Sequence, residues 1–179
     1  PAPPAEHWRG QSACAVLPGD IPACRKVRLL CALRLDKIRR PEKYKPWVFD
    51  LETANVHIAF VERFCKQPQG QLGAPLKLEL FQKARWQAIF GFVHRDTGLR
   101  QYQEVMIVEG RKNGKTTECA ALELDLLVND NEGAPEIYSI ATKREQAAKS
   151  YNACVNMRKQ SPELFRAIRK RQGDLYYPA

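Results

Sequence analysis

The alternation of short β-rich runs with long helical stretches constrains the fold of this chain more than any other feature. Residues 103–108 (QEVMIV) are β-rich and lead through a tight loop into 115–128, a helical stretch that is apolar on most faces. A second β-rich run, 137–142 (IYSIAT), leads into a second helical stretch, 143–159. Strands that alternate with helices at this spacing are typical of a parallel sheet flanked by helices. The sequence therefore predicts an α/β fold.

The residues before this region predict a helical appendage. Residues 1–23 hold five of the twelve prolines and show no periodicity, which indicates an irregular arm. Helical spacing and capping residues predict further helices at 24–40, at 51–66 with Asp50 as N-cap, at 81–93, and at 161–170 with Ser161 as cap. We expect an N-terminal region, 1–75, of arm and helices, followed by an incomplete α/β domain, 76–179.

The overall charge of the chain favours a polyanionic partner. The formal net charge is +9, which also serves solubility. No stretch approaches the roughly 18 apolar residues that span a bilayer, and no signal peptide is visible. The six cysteines form no C-x-x-C pair, so neither a zinc site nor a disulfide framework is predicted.

The loop between the first predicted strand and its helix has the residues of a phosphate-binding loop. We call residues 109–117, EGRKNGKTT, the phosphate loop. A phosphate cradle needs backbone N–H groups at a helix N-terminus, a lysine that reaches the phosphate oxygens and a hydroxyl for Mg²⁺. Gly114, Lys115 and Thr116 supply these parts in order, although Glu109 stands where the usual pattern has a glycine. An ordinary turn with an exposed lysine is the alternative, but it does not explain why Lys115 and Thr116 open the helix.

The phosphate loop resembles the variant Walker A motif of tailed-bacteriophage terminase large subunits, in which Arg-Lys-Asn-Gly-Lys-Ser/Thr lacks the early glycine. The resemblance extends over residues 21–178 in order. It includes an Asp-capped helix, a Leu-x-Leu-x-x-aromatic-Gln stretch upstream of the loop, and the Ala-Thr-x-x-x-Gln-Ala signature at 141–147. Phe81 stands where the family usually has Trp, and Gly110 where it often has Pro. The fold implied is a P-loop NTPase-type parallel sheet with an N-terminal helical appendage.

The family resemblance implies a role for each matching residue. Lys115 is implied to contact the β- and γ-phosphates of ATP, and Thr116 to bind Mg²⁺. Arg111 is implied to neutralise charge in the transition state or to sense the γ-phosphate, which suits a guanidinium. Gln82 is implied to read the adenine edge, with a solvated helix residue as the alternative. The full set implied to bind nucleotide is Gln82, Arg111, Lys112, Asn113, Gly114, Lys115, Thr116 and Thr117.

The resemblance also implies what the whole protein does. It would be a DNA-packaging motor in the host cytoplasm, an ATPase and endonuclease that assembles as a homo-oligomeric ring on double-stranded viral DNA with a small subunit and a portal. Residues 143–172 hold nine Lys and Arg against two acids, and DNA contact is expected there first at Lys143 and Arg144; a solvated helix face or a contact with a neighbouring subunit is the alternative for this basic region. Hydrolysis needs a strand that ends in Asp-Glu, and no such run follows residue 142. We therefore expect this chain to be a fragment, without the nuclease domain, that is inactive alone.

Two other functions are compatible with the same residues. Another P-loop ATPase, such as a helicase-like protein, shares the strand, loop, helix and upstream glutamine. A non-catalytic basic module for DNA binding or assembly would retain the basic helices with a vestigial loop. Binding of a fluorescent ATP analogue separates the ATPase readings from the vestigial one, which expects none.

Overall fold

The computed structural model describes residue 19, residues 22–130 and residues 135–178. They belong to two compact units. The first is drawn from Pro1–Ile58 and Leu78–Met106, and the second from Ala59–Lys77 and Ile107–Ala179. Among the described residues, none of the helices combines the length and the apolar composition that crossing a bilayer requires.

The first unit combines helices with one small sheet. Its elements are α1 (Arg25–Arg39), a 3-10 turn (Pro41–Tyr44), β1 (Trp47–Phe49), the first half of α2 (Leu51–Phe64), α3 (Leu80–Gly91) and β2 (Phe92–His94). β1 and β2 pair antiparallel, with Trp47 opposite His94 and Phe49 opposite Phe92. The helices predicted at 24–40, 51–66 and 81–93 are confirmed, but α3 ends at Gly91 because the chain turns there into β2.

A backbone hydrogen bond joins the start of α2 to the end of α3. The Asp50 carboxylate accepts hydrogen bonds from the backbone N–H groups of Glu52 and Thr53 at 2.9 and 3.1 Å, so the predicted N-cap is confirmed. The Asp50 N–H donates to the Gly91 carbonyl at 2.7 Å. A Cβ on Gly91 would lie 2.5 Å from the Phe49 ring, so only glycine allows this close approach.

The second unit is built on two long helices. Its elements are the second half of α2, α4 (Lys115–Asn129), α5 (Arg144–Gln160), α6 (Pro162–Ala167), β3 (Arg169–Lys170) and β4 (Leu175–Tyr176). α4 and α5 pack on each other and confirm the helices predicted at 115–128 and 143–159. The side chains that the two helices bury include Ala120, Ala121, Leu124, Ala153, Cys154 and Met157.

The last predicted helix is shorter than the sequence indicates. Ser161 caps it as predicted, since the Ser161 hydroxyl accepts from the Leu164 N–H at 3.4 Å. The helix ends at Ala167, however, and the expected final turn instead forms β3, paired antiparallel with β4. The cause is Ile168, which is fully buried and whose carbonyl oxygen accepts a 2.5 Å hydrogen bond from Arg158 Nε. That bond turns the chain out of the helical path.

The predicted parallel sheet is not present among the described residues. Their two sheets are the antiparallel pairs β1–β2 and β3–β4, and no ladder joins 103–108 to 137–142. A strand needs a hydrogen-bonded neighbour, and neither segment has one in the described part of the chain. The observed architecture is therefore a mixed arrangement of helices and small sheets.

Candidate nucleotide-binding loop

The phosphate loop leads directly into α4 through two residues with left-handed backbone. Lys112 has φ 68° and Gly114 has φ 78°. Such residues within a tight turn aim neighbouring backbone N–H groups in one direction, which is how a backbone nest binds an anion. Gly114 is the N-cap of α4 and makes no side-chain cap, so the first N–H groups of the helix have no partner within it. The positive end of the helix dipole adds to the attraction for an anion here.

Lys115 is the first residue of α4, and its side chain folds back into the phosphate loop. The ammonium donates to the carbonyl oxygens of Glu109 at 2.7 Å and Gly110 at 2.9 Å. The lysine cation is therefore held by neutral acceptors at the head of the loop, beside the N–H groups of the helix start. The half-buried position of Lys115 keeps its charge within the turn.

Five further predicted nucleotide ligands belong to the same loop as this lysine. Arg111, Lys112, Asn113 and Thr116 are exposed, and Thr117 is half-buried. Within the described residues, no carboxylate lies within salt-bridge distance of Arg111 and no side-chain hydrogen bond engages the Thr116 hydroxyl. In the described part of the chain, the Arg111 guanidinium and the Thr116 hydroxyl are therefore not engaged by these intramolecular contacts.

Gln82 is placed in the other unit, on the first turn of α3. It is buried, and its side-chain oxygen accepts a 2.8 Å hydrogen bond from the Glu79 N–H. The Glu79 side chain accepts in turn from the backbone of Gln82, which completes a capping box. Gln82 therefore has a structural role in this unit, and its contact with adenine stays a prediction.

Lys143 and Arg144 stand at the N-terminus of α5, where both are exposed. Lys143 is the N-cap residue and Arg144 the first helical residue. Two cations at the positive end of a helix are unfavourable, so an anionic partner would stabilise this site. The hydroxyl of Thr142 lies 3.3 Å from the side-chain oxygen of Gln146, which joins two residues of the 141–147 signature across the helix start.

A hydrogen-bond network centred on one carboxylate, Glu123, joins α4 to α5 and to the segment 137–142, and the sequence did not indicate it. The Glu123 carboxylate accepts from the hydroxyls of Ser139 at 2.9 Å and Ser150 at 2.6 Å. It also accepts from the Cys154 thiol at 3.2 Å. Burial and the neighbouring carboxylate raise the pKa of Cys154, so the thiol stays protonated and acts as a donor. The signal in the sequence that could have indicated this network was a charged glutamate on a helix that is apolar on most faces.

Comparisons with known proteins give one consistent result. The family described as "Terminase large subunit, ATPase domain" matches residues 80–175, more than half of the chain. The terminase large subunit of Enterobacteria phage HK97 is 38% identical over 109 residues, which cover 60% of this chain and 20% of that protein. The crystal structure of the HK97 bacteriophage large terminase matches with a TM-score of 0.53 and 30% identity, over 69% of this chain and 25% of that chain. The match thus spans about a fifth of the length of the curated relative.

Proposed function

The chain belongs to the terminase large subunit family, and on that premise we propose that its phosphate loop binds ATP with Mg²⁺ in a viral DNA-packaging motor. The observation that carries this proposal is the loop itself. Two left-handed residues lead into the N-terminus of α4, and the ammonium of Lys115 is held by two carbonyl oxygens at the head of the loop.

Five loop residues have a proposed task that suits their position. Lys115 exchanges its two carbonyl acceptors for the β- and γ-phosphates, which charge-assisted hydrogen bonds favour. Thr116 provides its exposed hydroxyl to Mg²⁺, and the backbone of Asn113 and Gly114 provides N–H donors. Arg111 contacts the γ-phosphate, because an exposed guanidinium can neutralise the charge that develops during transfer.

We further propose that segments 103–108 and 137–142 are neighbouring parts of a parallel P-loop sheet. The support is the side-chain pattern at the end of the first segment and the start of the second, since exposure alternates with period two over 107–110 and 135–140, whereas residues 103–106 are all exposed. On the outward side, Val108 is 85% exposed and Ile140 is 90% exposed. Such apolar side chains suit a sheet that further elements complete. The division at residue 75 is proposed as the start of this domain.

The activity of the whole protein is also a proposal, because the match covers a fifth of the curated relative. ATP hydrolysis would drive translocation of double-stranded DNA into a procapsid, with nuclease activity in a further domain. Partners would be a small subunit, a portal and further copies in a ring. Lys143 and Arg144 are proposed DNA contacts, because both are exposed at a helix end where anions are stabilised.

Binding of a fluorescent ATP analogue to the 179-residue chain tests the proposal. Wild-type chain is expected to bind the Mg²⁺ complex, and Lys115→Ala to weaken binding by 30- to 150-fold, which corresponds to about 2 to 3 kcal/mol for hydrogen bonds between charged groups. Lys149→Ala is a matched control, because Lys149 is an exposed lysine within α5. Equal affinity for wild type and Lys115→Ala would refute the assignment of the loop. No binding by a folded wild-type chain would favour a non-catalytic module.

A further inference from the structure

The C-terminal end of α5 and the hairpin that follows carry a dense group of exposed cations. We call this group the basic hairpin surface: Lys159, Arg166, Arg169, Lys170 and Arg171. Three of them are consecutive, and all five fall within 13 residues of the chain. Glu163 and Asp174 are the acids between residues 159 and 176, so this stretch has a net charge of +3.

The cations of this surface form no ion pair with a described carboxylate, and the acid Glu163 interacts electrostatically with Arg166 at a distance beyond that of an ion pair. In the first unit, Asp36 pairs with Arg40 and Lys43, and Glu42 pairs with Lys45 and Arg95. On the basic hairpin surface, by contrast, no described carboxylate lies within 4.0 Å of a cationic nitrogen. The surface therefore keeps its positive potential, which favours an anionic partner.

Hydrogen bonds from the buried Arg158 fix the backbone that carries these cations. Arg158 is buried and donates through Nε to the Ile168 carbonyl at 2.5 Å and through Nη2 to the Phe165 carbonyl at 3.3 Å. Its guanidinium also lies 4.4 Å from the centre of the Phe165 ring. The fully buried Ile168 immediately precedes Arg169, so β3 starts from a fixed point. A charged surface on fixed backbone loses less conformational entropy on binding than a free tail.

Contacts within the hairpin fix the position of Arg171, one of these cations. Its turn is closed by a 3.1 Å hydrogen bond from the Arg171 N–H to the Asp174 carbonyl. The Arg171 guanidinium stacks on the Tyr176 ring at 4.1 Å from its centre. Side chains of an extended chain alternate, so Arg169 and Arg171 are on the same side, about 7 Å apart along the strand. Arginine presents a planar fork that matches phosphate oxygens.

We propose that the basic hairpin surface binds the phosphate backbone of double-stranded DNA. The proposal rests on the proposed function, which makes a DNA duplex the polyanion on which the protein acts. A duplex presents one charge about every 1.7 Å along its axis, so closely spaced cations meet phosphates in any register and without reading sequence. A motor that moves along DNA of every sequence requires contacts of this kind.

This surface is separate from the DNA contacts proposed at Lys143 and Arg144. Those residues stand at the first turn of α5, whereas the basic hairpin surface begins at its last turn. A helix of 17 residues is about 25 Å long, which corresponds to roughly seven base pairs of duplex. The two groups can therefore be substituted independently.

The test is fluorescence anisotropy of a labelled 20-base-pair duplex titrated with the 179-residue chain between about 50 and 200 mM KCl. The variant replaces Arg169, Lys170 and Arg171 with Gln. Its matched control replaces Arg25, Lys26 and Arg39, three exposed cations of α1, with Gln, so both variants lose the same charge. Far-UV circular dichroism establishes that both are folded.

The hairpin variant is expected to bind about tenfold or more weakly than the α1 variant at 100 mM salt. Its slope of log affinity against log salt concentration should fall by about 2 to 3, since each phosphate contact contributes about 0.9. A further variant, Arg169→Lys with Arg171→Lys, keeps the charge and should keep most of the slope. Equal slopes for the hairpin and α1 variants would overturn the proposal, as would a wild-type chain that does not bind the duplex.

Two measurements separate this result from other outcomes. Loss of self-association in sedimentation, with DNA affinity unchanged, would assign the basic hairpin surface to a contact between copies and overturn the proposal. Titration of the same preparations with the fluorescent ATP analogue reports on the proposed function alone. Loss of DNA affinity in the hairpin variant, together with no nucleotide binding by wild type, would support the DNA surface and refute the nucleotide site.

Discussion

The carboxylate of Glu123 is predicted to hold the second unit together, and its removal tests this reading of the structure. The side chain accepts hydrogen bonds from Ser139, Ser150 and Cys154, which belong to the segment 137–142 and to α5. In Glu123→Ala, all three donors lose their shared charged acceptor. We therefore expect the unit to lose stability although no apolar core residue is changed.

The expected magnitude follows from the geometry. A hydrogen bond to a charged group contributes about 1.5 to 3 kcal/mol, and two of the three distances, to Ser139 and Ser150, are below 3.0 Å. Glu123 is half-buried, so water replaces part of what is lost. We expect Glu123→Ala to lower the free energy of unfolding by about 2 to 3 kcal/mol and Ser150→Ala by about 1 kcal/mol. The double variant should show a coupling energy of about 1 kcal/mol, because the two side chains share one interaction.

Hydrogen exchange resolves this effect within one unit. The chain has two compact units, so a global unfolding curve mixes their transitions. Exchange of amides in α4 and α5 instead reports the opening free energy of the helices concerned. Glu104→Ala is the control, because Glu104 is an exposed carboxylate of the first unit, and it should change stability by less than about 0.5 kcal/mol. Strict additivity of Glu123→Ala and Ser150→Ala would refute the shared-acceptor interpretation.

Three further predictions concern the phosphate loop, the thiols and catalysis. Gly114→Ala should weaken binding of the ATP analogue and destabilise the chain by about 1 kcal/mol, because φ is 78° at Gly114. Gly110→Ala should be tolerated, since a Cβ on Gly110 would meet only an atom 3.5 Å away. Thermal unfolding and titration with the analogue compare the two variants. Burial raises the pKa of Cys65 to about 12 from 9.0, which lowers its thiolate population about a thousandfold. Iodoacetamide at pH 8 should therefore label the exposed Cys24 before Cys65, as measured by peptide mass spectrometry. Equal labelling of the two thiols in the folded chain would contradict the burial of Cys65. The 179-residue chain should hydrolyse almost no ATP in a phosphate-release assay, because none of the strands in the described residues ends in paired acids that could support the attacking water. Turnover that is lost in Lys115→Ala would contradict this.

The local pattern of the sequence was sufficient to predict the helices. Periodic apolar residues and capping residues act within a few positions, so Asp50 and Ser161 could be identified as caps from their neighbours alone. The turn at residues 109–114 and the start of α4 at Lys115 could be predicted as well, since glycine and lysine at fixed spacing before an apolar helix specify a turn and a helix start, while phosphate binding stays a prediction. The left-handed backbone at Gly114 agrees with that expectation.

The small strands and the hydrogen-bond network of Glu123 could not be predicted in the same way. β1 and β2 are three residues each, and they pair over a separation of more than 40 residues, which no local period records. The end of α6 depends on Arg158, ten residues before Ile168, whose carbonyl it holds. Glu123 likewise finds its donors 16 and 27 residues away. Contacts of this kind are determined by tertiary packing, so a single sequence does not show them.

α5 contacts α4, which follows the loop proposed to bind nucleotide, and it also contacts the backbone of the basic hairpin surface proposed to bind DNA. α4 begins at the phosphate loop and, about 12 Å further along its axis, presents Glu123 to Ser150 and Cys154 of α5. At its C-terminal end, α5 uses Arg158 to hold the backbone from which the basic hairpin surface projects. The interface between α4 and α5 therefore combines a charged, directional contact with apolar packing. Hydrogen bonds to a shared carboxylate have defined geometry, so they resist sliding in a way that methyl contacts do not. Glu123 is thus a charged contact between α4, which begins at the phosphate loop, and α5, whose two ends carry the proposed DNA contacts.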